Sequence, residues 1–300
     1  MAIISPTADA PLLDPEFIRR IERLELVSRK IFHGKMRGER RSKRRGESVE
    51  FADYRNYVVG DDLRFLDWNL YARLERLFLK LFLEEEDLHL NVLVDLSASM
   101  GWGKPAKDRY ARQIAAALAY IGLANNDRVS LFTYSDGLIG ELSGLRGKRQ
   151  LPKVLSFLTQ TPAEGTGNIA KACKQMALRH GQAGVLIVLS DFFDKGGYEA
   201  GVRTLLGRRY DLYCIQLLSP EEIEPTITGE LKLTDVEDGD VAEVTISRAL
   251  INRYKANLQA YCTQLRDYCT KRGIAYAFTS TAVPFDQIVL GYMRQRGLVR

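Results

Sequence analysis

The sequence predicts a doubly wound, mostly parallel α/β sheet, and three observations predict it. Apolar runs at Leu88–Val94 (broken only by His89 and Asn91), Val185–Leu189 and Leu212–Leu217 lack the strict alternation of a half-exposed strand. Such runs suit strands covered on both faces of a parallel sheet. Segments with helical spacing separate them, the alternation from which such sheets are wound. Two of the runs also stop at an aspartate, Asp95 and Asp191, and open α/β sheets bind ligands beyond the carboxyl ends of their strands.

Taken in order, Asp14-Pro15-Glu16 reads as a helix start, with Asp as cap, Pro in the first turn and an acid beside the helix dipole. Ile21, Leu24, Val27 and Ile31 extend that helix to about residue 32. Residues 35–45 carry seven bases and one acid; Gly38 and Gly46 mark the run as a loop. Residues 47–76 are dense in acids, bases and aromatics, with a turn at Gly60-Asp61-Asp62, and read as a polar network in which Asp67 pairs with Arg64 or Arg73 around buried rings. Residues 77–86 alternate as a strand at or near a sheet edge. This gives an N-terminal helix and β subdomain over 1–86.

The sheet domain is expected over 87–300. After the first strand, residues 105–125 form a helix, 127–134 a strand and 137–142 its short hairpin partner. Helices follow at 147–158, 169–180 and 198–208, with the apolar strands between. Leu231, Leu233, Asp238-Gly239, Val244 and Ile246 predict a β-hairpin insertion near 229–246. Ser247 caps a long helix that Gly273 stops; residues 274–280 form the last strand and 285–296 the last helix.

A 300-residue chain that is 46% hydrophobic is an ordinary globular one. The net charge of +5 comes from one patch, because residues 35–45 alone supply +6. No apolar run approaches the roughly 18–20 residues of a membrane span, and no secretory signal opens the chain. Cys173, Cys214, Cys262 and Cys269 show no C-x-x-C spacing, and Cys262 and Cys269 lie two helical turns apart, too far for a disulfide. A cytoplasmic protein with reduced thiols is the expectation. The G-x-x-x-x-G-K-[ST], G-x-S-x-G and H-E-x-x-H motifs are absent, and His33, His89 and His180 fall near no obvious nucleophile. No catalysis is therefore expected. The alternatives are a metal-assisted phosphohydrolase and nucleic-acid binding through residues 35–45, a run without an aromatic residue to stack on a base.

Beyond the first apolar strand stands Asp95-x-Ser97-x-Ser99, three oxygen-bearing side chains at alternating positions. A carboxylate and neutral hydroxyls suit a hard divalent cation, Mg²⁺ or Mn²⁺. Thr166 and Asp191 stand at two further loops that this topology brings to the same sheet edge. The five form the candidate metal set: Asp95, Ser97, Ser99, Thr166 and Asp191. Together they resemble the metal-ion-dependent adhesion site of the von Willebrand factor A domain, in which the strand-end motif includes the residue matched by Met100. That family usually has Gly-Gly-Thr in the loop that here reads Gly165-Thr166-Gly167-Asn168, so Asn168 is an alternative oxygen donor. Upstream, Arg45-Gly46-Glu47, Glu50-Phe51, Arg55-x-Tyr57, Gly60-Asp61-Asp62-x-Arg64 and Asp67-Trp68 resemble the signature of the bacterial family called domain of unknown function 58. The resemblance covers roughly residues 40–290. It implies a metal-dependent protein-interaction module, an adaptor or co-chaperone for a MoxR-type AAA+ ATPase or its client, whose acidic residue the metal would grip.

Overall fold

The structure is a computed structural model. It describes residues 11–24, 50–83, 88–179, 184–208, 210–227, 229–237 and 239–292. The basic run 35–45 lies outside them. The chain divides into two compact units, Lys35–Asp87 and a larger one made of Met1–Gly34 with Leu88–Arg300.

Helix α1 (Pro15–Ile21) begins as its cap residues dictate, with Asp14 accepting from the Glu16 backbone N–H. Regular helix ends at Ile21, with Glu22 as its C-cap, short of the expected residue 32, and residues 25–32 lie outside the described part. The sequence places this helix with the N-terminal subdomain. It packs instead in the core of the larger unit, with Phe17 and Ile21 buried and the Phe17 ring edge-on to Phe285 at 4.9 Å.

The smaller unit holds strand β1 (Glu50–Asn56), helix α2 (Trp68–Leu74) and strand β2 (Phe78–Leu83). The two strands pair antiparallel as a sheet of their own, from Glu50↔Leu83 to Asn56↔Phe78. The polar pairs differ from the sequence expectation. Arg55 grips Asp61 with two hydrogen bonds of 2.8 and 2.7 Å, and Arg64 pairs with Asp62. Asp67 caps α2 and takes Tyr54 and Lys80 as partners, not Arg64 or Arg73. Trp68, Tyr71 and Phe65 are exposed, not buried.

The larger unit alternates β3 (His89–Asp95), α3 (Lys107–Ala124), β4 (Arg128–Ser135), β5 (Gly137–Leu145), α4 (Leu151–Gln160), α5 (Ile169–Leu178), β6 (Gly184–Ser190), α6 (Glu199–Leu206) and β7 (Tyr210–Leu218). A one-turn helix α7 (Pro220–Ile223), the hairpin β8 (Gly229–Thr234) and β9 (Val241–Ile246), helix α8 (Arg248–Lys271) and strand β10 (Ala275–Ser280) follow. The six-stranded sheet has the order β10-β7-β6-β3-β4-β5, parallel except for β5. Alternate residues of each central strand serve the two faces. Leu90, Val92 and Val94 enter the core with α1, α3 and α4, while Leu93 joins that of α5, α6 and α8. Each fully buried Leu or Val is worth roughly 1.5–3 kcal/mol, which is why these apolar runs become the middle of the sheet. Helix α3 is buried nearly all round, and its run Ala115-Ala116-Ala117 lets the neighbouring layers approach. The expected last helix is present from Phe285, α-helical over Phe285–Gln287 and π-wound over Ile288–Tyr292; its remaining residues, 293–296, lie outside the described part.

The order of strands positions the site. From β3 the chain moves to β4 on one side, and later returns to β6 on the other. The direction of winding reverses there, so a crevice opens beyond the carboxyl ends of β3 and β6.

Candidate functional site

Asp95 ends β3 between two neighbours that fix it. Its register partner in β4 is Tyr134, whose hydroxyl donates to Oδ2 at 2.9 Å. Ser190, at the end of β6, donates to the same oxygen at 2.6 Å. Oδ1 accepts from the backbone N–H of Ser97 at 3.0 Å and from its hydroxyl at 2.8 Å. Asp95 is only 4% exposed. Burial, reinforced by the nearby Asp191 charge, pushes its carboxyl up to about 6 against the opposing hydrogen bonds from Ser190 and Ser97.

A 3-10 turn, Ala98–Gly101, then brings Ser99 back beside Ser97, their Oγ atoms 3.1 Å apart. The loop before α5 is strapped to this turn by backbone bonds: Ala98 N–H donates to Gly165 and Glu164 N–H to Leu96. Gly165 takes φ +83°, a conformation that side chains rarely adopt. Gly167 faces the small cavity between Asp95, Ser97, Ser99 and Asp191. Thr166 does not: it is exposed and outside the cavity wall. The side chain of Asn168 is committed elsewhere, its Oδ1 capping α5 and its Nδ2 donating to Asp136. In this loop the backbone, rather than either predicted side chain, fronts the cavity.

Asp191 is 3% exposed, and Lys107 holds it. The Lys107 ammonium, with no exposed surface, sits 2.6 Å from Asp191 Oδ2 and 2.5 Å from Glu222 Oε1. Burial alone would lower its pKa, but the two carboxylates outweigh that and hold it above its ordinary value. Oδ1 of Asp191 accepts from the Phe193 N–H at 2.9 Å, and its backbone carbonyl accepts from Gln216. From the hairpin insertion, Glu237 reaches the same cavity, its Oε2 accepting from the Gly167 N–H at 3.0 Å. Among the described residues no three His, Cys, Asp or Glu side chains gather as a metal cluster.

The donor set nevertheless suits a hard cation. Two oxygens in adjacent positions of an Mg²⁺ octahedron, each about 2.1 Å from the ion, lie about 3 Å apart, and the Ser97–Ser99 hydroxyl pair matches that spacing. These hydroxyls would be direct ligands, with Asp95 behind them as the charge that orients Ser97.

Sequence reasoning did not find Tyr134, Ser190, Lys107, Glu222 or Glu237. Ser190 carried a signal, standing next to Asp191 at the end of an apolar strand. Lys107 carried none, since a lysine is a surface residue by default.

These features define a class: an α/β sheet domain with a hydroxyl and carboxylate cluster at its topological switch point. The chain belongs to the family described as protein of unknown function DUF58, whose model matches residues 53–263. It is 24% identical over 242 residues to the uncharacterized protein Rv1480 of Mycobacterium tuberculosis, covering 79% of this chain and 76% of that one. Among solved structures it is similar to the conserved hypothetical protein BatB from Bacteroides thetaiotaomicron, at 13% identity and a TM-score of 0.41, covering 70% of this chain and 98% of the other. It is also similar to the SpRpn10 VWA domain, at 14% identity and a TM-score of 0.39, covering 68% and 94%. No helix among the described residues is long and apolar enough to cross a membrane.

Proposed function

We propose that this protein is a cytoplasmic protein-interaction module whose contact is made through a divalent cation. The cation, Mg²⁺ or Mn²⁺, binds the hydroxyls of Ser97 and Ser99, with Asp95 and Asp191 supplying negative charge from beneath. A carboxylate of the partner fills a remaining coordination position. The partner in this reading is a MoxR-type AAA+ ATPase or its client. The observation that carries it is the 3.1 Å separation of two hydroxyls above the buried Asp95 at the sheet's switch point.

The surroundings favour binding over turnover. The four hydrogen bonds to Asp95 come from the protein's own donors, which engages both oxygens of that carboxylate within the protein. Asp191 is likewise engaged by Lys107. Copurification from the native cell tests the reading, in Mg²⁺, in chelator and with Asp95→Ala. Retention of an AAA+ ATPase only by wild-type protein in Mg²⁺ is the expected result. Equal retention in all three conditions would overturn metal dependence.

A further inference from the structure

Glu237 is the one hairpin residue, among the described residues, on the wall of the cavity. Its position is held from both sides. The Gly167 N–H donates to Oε2, and the Glu237 N–H donates to Asp235 Oδ1 at 2.9 Å. Asp235 in turn forms an ion pair with Lys195 at 2.8 Å, on the loop that follows Asp191. A methyl group placed on Gly167 would lie 3.6 Å from Ser97 Oγ and 3.6 Å from Glu237 Oε1. Oε1 of Glu237 and the Ser97 hydroxyl thus flank the same point beside Gly167.

A carboxylate on a surface turn is ordinarily solvated, and hydration favours leaving it so. This one is directed by two turn contacts onto the backbone of the loop that borders the serines. Its chemistry, a carboxylate beside a hydroxyl-rimmed cation site, is that of the partner group in the reading above.

We propose that Glu237 is a ligand of the cation site supplied by the chain itself, and that an incoming carboxylate must displace it. The hairpin insertion is then a cap: it completes the site at rest and lifts when a partner's acid takes its place. This rests on the cation-site reading. It adds an identified competitor, so that partner affinity is set by the difference between two carboxylates at one position.

The test uses Mn²⁺ as the ion and N-acetylglutamate as the carboxylate probe, on the full chain by titration calorimetry, with hydrogen exchange of residues 229–246 followed in parallel. Glu237→Gln keeps an oxygen to accept from Gly167 but removes the charge, and Glu237→Ala removes both. The expected result is a loss of Mn²⁺ affinity of roughly 10–100-fold in either variant, the range for groups that support a metal site. N-acetylglutamate should restore much of that loss in the variants and add little to wild type. Mn²⁺ should slow exchange in the hairpin of wild type alone. Equal Mn²⁺ affinity in wild type and both variants, with no effect of the probe, would overturn the cap while leaving the cation site intact. Absence of Mn²⁺ binding by wild type and variants alike would overturn the cation reading and the cap with it. Circular dichroism of each variant separates either outcome from misfolding.

Discussion

The ammonium of Lys107 lies 2.6 Å from the Asp191 carboxylate with no surface of its own in contact with solvent. The first residue of α3 is thereby tied to the end of β6, and through Glu222 to the one-turn helix after β7. That helix is itself fixed by a reciprocal cap between Ser219 and Glu222. Three loops at the sheet's carboxyl edge are held by one cation.

Removing that cation strands two carboxylates. Breaking a buried pair by deleting one partner costs about 3–5 kcal/mol, so Lys107→Met should lower the stability of the larger unit by that order in urea unfolding. Adding Asp191→Asn and Glu222→Gln should recover part of the loss, because the uncompensated charges go with it. A single variant as stable as wild type would mean the network contributes nothing.

The buried carboxyl of Asp95 gives a pH dependence of defined sign. Its native pKa of about 6 is above its ordinary 3.8, so between about pH 4 and pH 6 the native chain retains a proton that the unfolded chain has released. Stability from this group is therefore fully present at low pH, falls as pH rises through that window, and is level above it. At ~1.4 kcal/mol per pKa unit the fall is about 3 kcal/mol. Subtracting the unfolding free energy of Asp95→Asn at each pH, in chelator, isolates the group from the other carboxylates. A difference curve that rises with pH would contradict the burial described above.

Much of this architecture is legible in the sequence, and the reasons are local. The strands β3, β6 and β7 announce themselves by apolar runs. Asp14, Ser247 and Gly273 mark helix ends because a capping oxygen or a positive φ (+69° at Gly273) is a requirement of the residue itself. Strand β1 was not legible, since Glu-Phe-Ala-Asp-Tyr-Arg-Asn shows no clean apolar face and, among the described residues, pairs with β2 alone. At the site, Asp95, Ser97, Ser99 and Asp191 follow from strand ends, and the structure gathers them. The side chain of Thr166 was misplaced because φ +83° at Gly165 turns the loop so that Gly167 faces inward instead. Lys107 and Glu237 reach the site across 84 and 70 residues of chain to their partners, and no local pattern encodes such a meeting.

Thiol chemistry checks the packing of the second core. Cys173, Cys214 and Cys269 are completely buried there, whereas Cys262 is partly exposed on α8. Burial pushes the Cys173 thiol up to about 12, and a hydrogen bond with Cys269 together with burial raises Cys214 well above its ordinary value. Only thiolates attack a disulfide reagent. Burial raises the Cys262 thiol as well, so its partial exposure makes the difference: Ellman's reagent at pH 8 should label about one thiol per native chain ahead of the others, more slowly than a free thiol, and Cys262→Ser should abolish that phase. In denaturant all four should react. Two or more native thiols in that early phase would show that this core is more open than described.

The two serines should separate structure from binding. Ser97 is 2% exposed, and its hydroxyl donates to Asp95, so its loss leaves a buried carboxylate oxygen short of a donor. Such an unmet group costs about 1–3 kcal/mol, and Ser97→Ala should be destabilised by that order. Ser99 is half-buried, and its one hydroxyl bond shown here is the contact with Ser97. Ser99→Ala should accordingly unfold within about 0.5 kcal/mol of wild type, as substitutions away from buried networks do. On the proposed reading it should nonetheless lose Mn²⁺ affinity as severely as Ser97→Ala, since each serine supplies one direct ligand. Denaturation curves and calorimetry on the same preparations measure the two quantities independently. A Ser99→Ala protein that binds Mn²⁺ as wild type does would remove Ser99 from the ligand set, and with it the hydroxyl pair on which the cation reading stands.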